Sequence, residues 1–204
     1  GSRDVLIGGE GDDLILSDGK DAAYGGSGDD TFEISAHDLE DGRMDNAFTS
    51  DSYTDDFAAA AGAEDAIDDY DLAAGERSGF DGGSGDDTLH ITTAEDVSID
   101  LGSGDYEDAI NAIENIEAID LTGTGDISLG IDISDVIKLT DDDHELTILR
   151  DEGDQVDVQD EEDAEKSESG AEKEGFTTYT YFDGAGDVLA KLHVQDDPTG
   201  GGVV

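Results

Sequence analysis

Apolar and polar residues alternate through much of the second half of the chain. Val97-Ser98-Ile99-Asp100-Leu101 and Asp126-Ile127-Ser128-Leu129-Gly130-Ile131-Asp132-Ile133 keep the period of two that sets one side of a strand against a core. Ile127, Leu129, Ile131 and Ile133 then share a face. Ile116-Glu117-Ala118-Ile119-Asp120-Leu121, Leu146-Thr147-Ile148-Leu149 and Val156-Asp157-Val158 predict further short strands. Residues 176–182 and 188–194 predict a hairpin turned at Asp183-Gly184-Ala185-Gly186, with Val188, Ala190, Leu192 and Val194 on one face. Between residues 35 and 79 the pattern changes. Asp55-Asp56-Phe57-Ala58-Ala59-Ala60-Ala61 and the stretch from Glu64 to Tyr70 read as one or two short helices, acidic where the helix dipole favours it.

Ahead of three of the apolar runs stands the same phrase. Gly8-Gly9-Glu10-Gly11-Asp12-Asp13-Leu14-Ile15, Gly25-Gly26-Ser27-Gly28-Asp29-Asp30-Thr31-Phe32 and Gly82-Gly83-Ser84-Gly85-Asp86-Asp87-Thr88-Leu89 all spell G-G-x-G-x-D-x-U. Repeats of this form build parallel β-rolls that bind calcium. Glycine permits a tight turn with its carbonyls directed inward, aspartate supplies a hard anionic oxygen, and the U side chain enters the roll. A coil of such a roll uses two repeats, so turns on one side recur about every eighteen residues. Asp18-Gly19-Lys20-Asp21 reads as a degenerate turn for the opposite side. One good calcium site is expected between the turns at 8–13 and 25–30, and a poorer one pairing Asp4 with Asp21.

Charge makes the metal more than an accessory. The 204 residues hold 57 Asp and Glu against 9 Lys and Arg, a formal net charge of -48, while only 35% are hydrophobic, so the chain lies near the composition at which chains stay disordered. A divalent cation that binds only the folded form reduces carboxylate repulsion and adds its binding free energy to folding. Folding and calcium binding are therefore expected to be one event. Acidity beyond what a few ions can neutralise also suits a saline setting. Nucleic acid is disfavoured by the scattered cations. With no cysteine, disulfides contribute nothing. No run of eighteen apolar residues suggests a membrane span. Extracellular calcium modules bind at about 10⁻⁴–10⁻³ M, so such a chain is expected to fold outside the cell.

The expected fold is mainly β. A short parallel β-roll at 1–34 is followed by a helical or loop insertion at 35–79. At 80–194 a resumed repeat turn leads into a β-sandwich-like region or an extension of the roll. Within it, the acidic, serine-rich stretch 159–175 reads as a mobile loop, and 195–204 reads as a linker. Gly1-Ser2 reads as a cloning remnant, and the whole as a monomeric module of a longer protein.

The three turns, with Asn115-Ile116-Glu117-Ala118-Ile119-Asp120-Leu121-Thr122-Gly123-Thr124-Gly125 and Asp132-Ile133-Ser134-Asp135-Val136 after them, resemble RTX proteins, most of all the large bacterial RTX adhesins. The resemblance implies type I secretion, calcium-driven folding outside the cell and attachment to a surface or partner. It places Asp13, Asp30 and Asp87 at the ligand position. The carbonyls of Gly8, Glu10, Gly25, Ser27, Gly82 and Ser84 would complete the shells. Asp21 is a weaker match because its turn is one residue short. Asp12, Asp29 and Asp86 read as solvent-facing turn residues, and Asp100, Asp105, Asp126, Asp132 and Asp135 as candidates for further sites.

No catalytic pattern stands out. His37, His90, His144 and His193 lack metal-ligand spacing, no G-x-S-x-G elbow supports a triad, and the paired carboxylates lack aromatic sugar platforms. Asp197-Pro198 has the look of a self-cleavage site of some RTX proteins, but one such bond in a tail is commonplace. The expected activity is non-enzymatic: calcium-dependent binding of an extracellular peptide, protein or glycan. Phe48, Tyr53, Phe57 and Tyr70 of the insertion are the candidate contacts. The alternatives are a structural connector without a ligand of its own and the non-catalytic roll of a secreted enzyme.

Overall fold

The computed structural model describes residues 4–39, 79–101, 106–141, 143–159, 165–170 and 174–196. It is mainly β. In chain order the first elements are β1 (Val5–Glu10), β2 (Leu14–Leu16), β3 (Ala22–Ser27), β4 (Thr31–Ser35), α1 (Ala36–Leu39), β5 (Gly79–Ser84), β6 (Thr88–Thr92) and β7 (Val97–Asp100). There follow α2 (Glu107–Ile110), β8 (Ile113–Glu114), β9 (Ala118–Asp120), β10 (Ile127–Ile131), α3 (Ile133–Leu139), β11 (Glu145–Leu149) and β12 (Gln155–Val158). Strands β13 (Glu165–Gly170), β14 (Phe176–Phe182) and β15 (Val188–Gln195) complete the set.

Up to β12, strands pair with partners distant in sequence instead of with their immediate neighbours. β1, β3, β5 and β8 make one sheet, entirely parallel. A second sheet runs β2, β4, β6, β9, β11 and β15 in parallel, and β14 and β13 then add to it antiparallel. From β7 onward a third parallel sheet appears, β7, β10 and β12. The second sheet thus runs unbroken from the repeat turns to the hairpin near the C-terminus.

The U positions explain why the strands stack in this register. Ile15 pairs with Phe32, Phe32 with Leu89, Leu89 with Ile119, Ile119 with Ile148, and Ile148 with Val194. Every one of these side chains is buried. Slipping one strand by a single residue would turn its apolar side chain to the outside, so burial specifies the register. Ala23 and Phe80 of the first sheet meet this row across the core, and the Phe80 ring stacks on Phe32 with centroids 5.3 Å apart.

The register also settles what lies across residues 40–78. Ala22 pairs with Gly79 and Thr31 with Thr88, so the third repeat turn stacks directly on the second. The helices expected at 55–70 and the aromatics Phe48, Tyr53, Phe57 and Tyr70 lie outside the described residues.

Three local expectations change. Residues 165–170, read from composition as part of a mobile loop, form β13 and pair with β14 from Glu165↔Phe182 to Gly170↔Thr177. Backbone pairing at a sheet edge needs no apolar side chain, and a polar sequence suits an edge. The alternating run at 126–133 ends as a strand at Ile131, because Asp132 caps α3: its side chain accepts from Ser134 N and Asp135 N while Asp135 accepts from Asp132 N. In the hairpin, Ala190, Leu192 and Val194 are buried as expected, whereas Val188, next to the turn, is 54% exposed. Its turn is held by Asp183, whose Oδ1 accepts from Ala185 N and Asp187 N.

Candidate metal centre

The three repeat turns superpose as rungs. Gly9, Gly26 and Gly83 stand in register, as do Glu10, Ser27 and Ser84. Gly11 N donates to Ser27 O at 2.7 Å and Gly28 N to Ser84 O at 3.0 Å. One lone pair on each of those two carbonyls, expected to face a metal, is therefore taken by the preceding turn, leaving the other. Glycine is required where the rungs touch. Gly28 has φ +123°, and a Cβ there would lie 2.6 Å from Gly11 O.

A carboxylate ladder links the same rungs. Asp13 N donates to Asp30 Oδ1 and Asp30 N to Asp87 Oδ1, both at 2.8 Å. Asp87 N in turn donates to Glu117 Oε2 at 2.9 Å, so the ladder continues past the last glycine-rich turn. Outside it runs an exposed row, in which Asp29 N donates to Asp12 Oδ1 and Asp86 N to Asp29 Oδ1.

Asp30 and Asp87 each use one oxygen in the ladder and aim the other at a glycine, and Asp13, the first rung, likewise aims its Oδ2 at a glycine. Asp30 and Asp87 are each 1% exposed, and their Oδ2 atoms have no hydrogen-bond donor among the described residues. A methyl group placed on Gly8 would lie 2.6 Å from Gly25 O and 2.8 Å from Asp13 Oδ2. On Gly25 it would meet Asp30 Oδ2 and Gly82 O, and on Gly82 it would meet Asp87 Oδ2 and Asn115 O. Three times, then, a carboxylate oxygen and a carbonyl of the next rung converge beside a glycine, and at Asp30 and Asp87 the oxygen is buried with no donor among the described residues. Two buried acceptors so placed repel each other unless a proton or a cation lies between. Burial accordingly raises the Asp30 carboxyl and pushes that of Asp87 up to about 7, opposed by the Asp30 N–H and reinforced by the charges of Glu117, Asp30 and Asp29. Glu117 is raised as well, chiefly by burial.

Hard oxygens of carboxylate and carbonyl type suit calcium, which takes six to eight of them. Among the described residues no three His, Asp or Glu side chains gather as a ready metal-holding group. Any ion here would lean on backbone carbonyls, with about one carboxylate per turn.

The remaining candidates differ in kind. Asp21, at the opposite end of the coil, is buried, but its Oδ1 accepts from Asp4 N at 2.9 Å and its Oδ2 from Ser17 Oγ at 3.4 Å. Asp4 and Asp21, expected to share a poorer calcium site, are joined by that hydrogen bond from the Asp4 backbone to the Asp21 carboxylate. Asp132 and Asp135 cap α3, though Asp135 Oδ1 is buried without a partner among the described residues. Asp126 packs on Gly153, and Asp105 lies outside the described residues. Asp100 Oδ1 accepts from Gln159 Nε2 at 3.3 Å at the edge of an open groove of about 320 Å³ over the third sheet, which Ser98, Ser128, Gly130 and Asp157 also line.

Two participants escaped the reading of the sequence. Asp154, 3% exposed, accepts from Ile127 N and Asp151 N and so ties two loops of the third sheet. Glu117 was passed over because its turn lacks glycines, yet Glu117-Ala118-Ile119 repeats the acid-x-U spacing of Asp87-Thr88-Leu89. Histidines also have neighbours: His90 Nε2 lies 3.1 Å from Thr122 O and its Nδ1 3.6 Å from Glu33 Oε2, and His193 Nδ1 lies 2.8 Å from Thr178 Oγ1 and its Nε2 2.8 Å from Glu145 Oε1. Thr178 is fully buried and out of reach of a substrate.

Compared with known protein families, with curated proteins and with solved structures, the chain matches none.

Proposed function

We propose that this chain is a calcium-folded parallel β-roll module of the RTX kind, secreted and belonging to a bacterial adhesin, in which bound ions rigidify the coils so that loops and insertions can hold an extracellular peptide, protein or glycan. The observation that carries the calcium reading is the threefold convergence of carboxylate and carbonyl oxygens at Gly8, Gly25 and Gly82. Asp13, Asp30 and Asp87 would bind the ions. The carbonyls of Gly25, Gly82 and Asn115 would share them. When bound, calcium supplies positive charge between acceptors that otherwise repel. The part of the chain is to hold the Asp30 and Asp87 carboxylates by a backbone N–H of the preceding rung and keep their second oxygens free.

For binding over a bare connector, the support is the placement of the insertion. Asp13 and Asp30 are 17 residues apart and Asp30 and Asp87 are 57 apart, yet they make equivalent rungs, so the added residues leave the stack undisturbed. Recognition segments are commonly carried in this manner on a rigid scaffold. The connector reading keeps one observation of its own, the unbroken apolar row from Ile15 to Val194, which suits a spacer. Within this proposal the module has no catalytic role.

The test has two stages. Calcium titration followed by circular dichroism is expected to show cooperative folding, reversed by chelator, and a signal indifferent to calcium ends the reading. A peptide and glycan array probed in calcium and in chelator then separates the functions. Calcium-dependent hits support the adhesin module, and a folded protein with none supports the connector.

A further inference from the structure

We infer that the outer face of the third sheet is a saccharide site, which takes a neutral glycan by its hydroxyls in the groove over β7, β10 and β12. The inference rests on the binding reading above and gives it a ligand class and a place among the described residues.

Strand register builds the groove. Ile99, Leu129 and Val156 are buried in the core, so the residues on either side of each turn outward. Pairing sets those outward residues in two rows, Ser98 with Ser128 and Gln155, and Asp100 with Gly130 and Asp157. The middle of the second row has no side chain. Strands in a sheet lie about 4.8 Å apart, so the backbones of Asp100 and Asp157 stand about 10 Å apart with a notch between them. The Gln159 amide lies over that notch: a Cβ on Gly130 would be 2.7 Å from Gln159 Nε2, which donates to Asp100 Oδ1 at 3.3 Å. The open volume of about 320 Å³ falls in the range of small-molecule sites.

Unused hydrogen-bonding capacity sets this face apart. Ser17, Ser35, Ser84 and Ser134 each donate a hydroxyl within the protein. Among the described residues, the side chains of Ser98, Ser128, Gln155 and Asp157 have no such partner. Hydroxyls and amides both donate and accept, and a carboxylate accepts from hydroxyls in strong, charge-assisted bonds. A grid of two hydroxyls, two amides and two carboxylates therefore matches the hydroxyls of a sugar ring. The lining holds no Lys, Arg or His, so Asp100 and Asp157 repel sialylated and sulfated glycans and acidic peptides. With Ile99, Leu129 and Val156 turned to the core, the face offers peptide side chains no apolar pocket. A cationic peptide would be drawn to any part of a surface of net charge -48, and would need neither the serines nor the amides.

The test is an array of neutral oligosaccharides, sialylated and sulfated glycans and lysine-rich peptides, probed in saturating calcium at low and high salt, with calorimetry on the strongest neutral hit. Asp157→Ala, at an exposed position, is expected to weaken that hit about tenfold or more, as loss of a hydrogen bond to a charged group does. Ser128→Leu, which fills the floor of the groove, is expected to abolish it. Asp187→Ala, exposed at the hairpin turn, removes the same charge and is expected to bind as wild type. Circular dichroism in calcium checks that each variant folds, and if Ser128→Leu does not, Asp157→Ala against Asp187→Ala decides. Neutral hits that Asp157→Ala and Ser128→Leu leave unchanged overturn the groove and leave the adhesin reading standing. Hits confined to anionic glycans, or to lysine-rich peptides and lost at high salt, overturn the saccharide assignment. A folded wild type with no hits overturns the binding reading together with this inference.

Discussion

Without calcium, the folded protein should be more stable at pH 5 than at pH 8, and the carboxyl of Asp87 should account for much of the difference. In the folded chain burial lifts this group from 3.8 to about 7. Between roughly pH 4 and 7 the folded state then holds a proton that the unfolded state has released, so stability falls as pH rises through that window. Between pH 5 and 8 about two units of that shift count, so ~1.4 kcal/mol per unit sets a ceiling of about 3 kcal/mol, and solvent screening reduces this to on the order of 2 kcal/mol. That changes the ratio of folded to unfolded chain by about 30-fold. Glu114, pushed to about 7 by burial and the charge of Asp81, and Asp135, pushed to about 6 by burial, act in the same direction. General repulsion in a chain of net charge -48 does too, so the control must hold charge constant. Asp87→Asn and Asp86→Asn each remove one negative charge, but Asp86 is exposed. The folded fraction left in chelator, read by circular dichroism at pH 5, 6, 7 and 8, should fall with rising pH, with the slope reduced in Asp87→Asn and retained in Asp86→Asn. Saturating calcium should reverse the sign in wild type, because the ion replaces the proton. Equal slopes in the two variants would refute the assignment of the pH dependence to the buried carboxyl.

Other perturbations test separate links of the argument. Asp30→Asn should raise the calcium midpoint well above that of Asp29→Asn, since only Asp30 has a buried free oxygen, and coincident titrations would contradict the register. Phe80→Ala, which removes a fully buried ring stacked on Phe32, should cost about 3–5 kcal/mol in calcium-saturated urea unfolding, and a loss below about 1 kcal/mol would mean the two sheets are not joined there. Gly28→Ala should be destabilising by more than 1 kcal/mol on the order expected of a strained backbone, whereas Gly123→Ala, with open space around it, should melt near wild type. Deleting residues 161–174 removes β13 and bares the tyrosine-bearing edge of β14. Light scattering should then show association that grows with protein concentration, and a strictly monomeric deletion would mean the edge is not exposed.

Short-range chemistry determined the parts of this protein that could be read one turn at a time. Glycine spacing, the ligand-position aspartates and the U residues Ile15, Phe32 and Leu89 specify tight turns with apolar strands after them, because backbone freedom and side-chain alternation are local properties. The hairpin turn at Asp183 was legible for the same reason. Tertiary structure alone decided which turns are neighbours. Only stacking of buried side chains across sheets brings Asp87 against Asp30, 57 positions away along the chain, since no local rule measures the length of an insertion. It also made a rung of Asn115 and Glu117, where the hydrogen bond to Asp87 and not the motif preserves the ladder. The strand at 165–170 follows the same logic: its residues carry no apolar signal, and the open edge of β14 supplies the backbone partner that the sequence does not advertise.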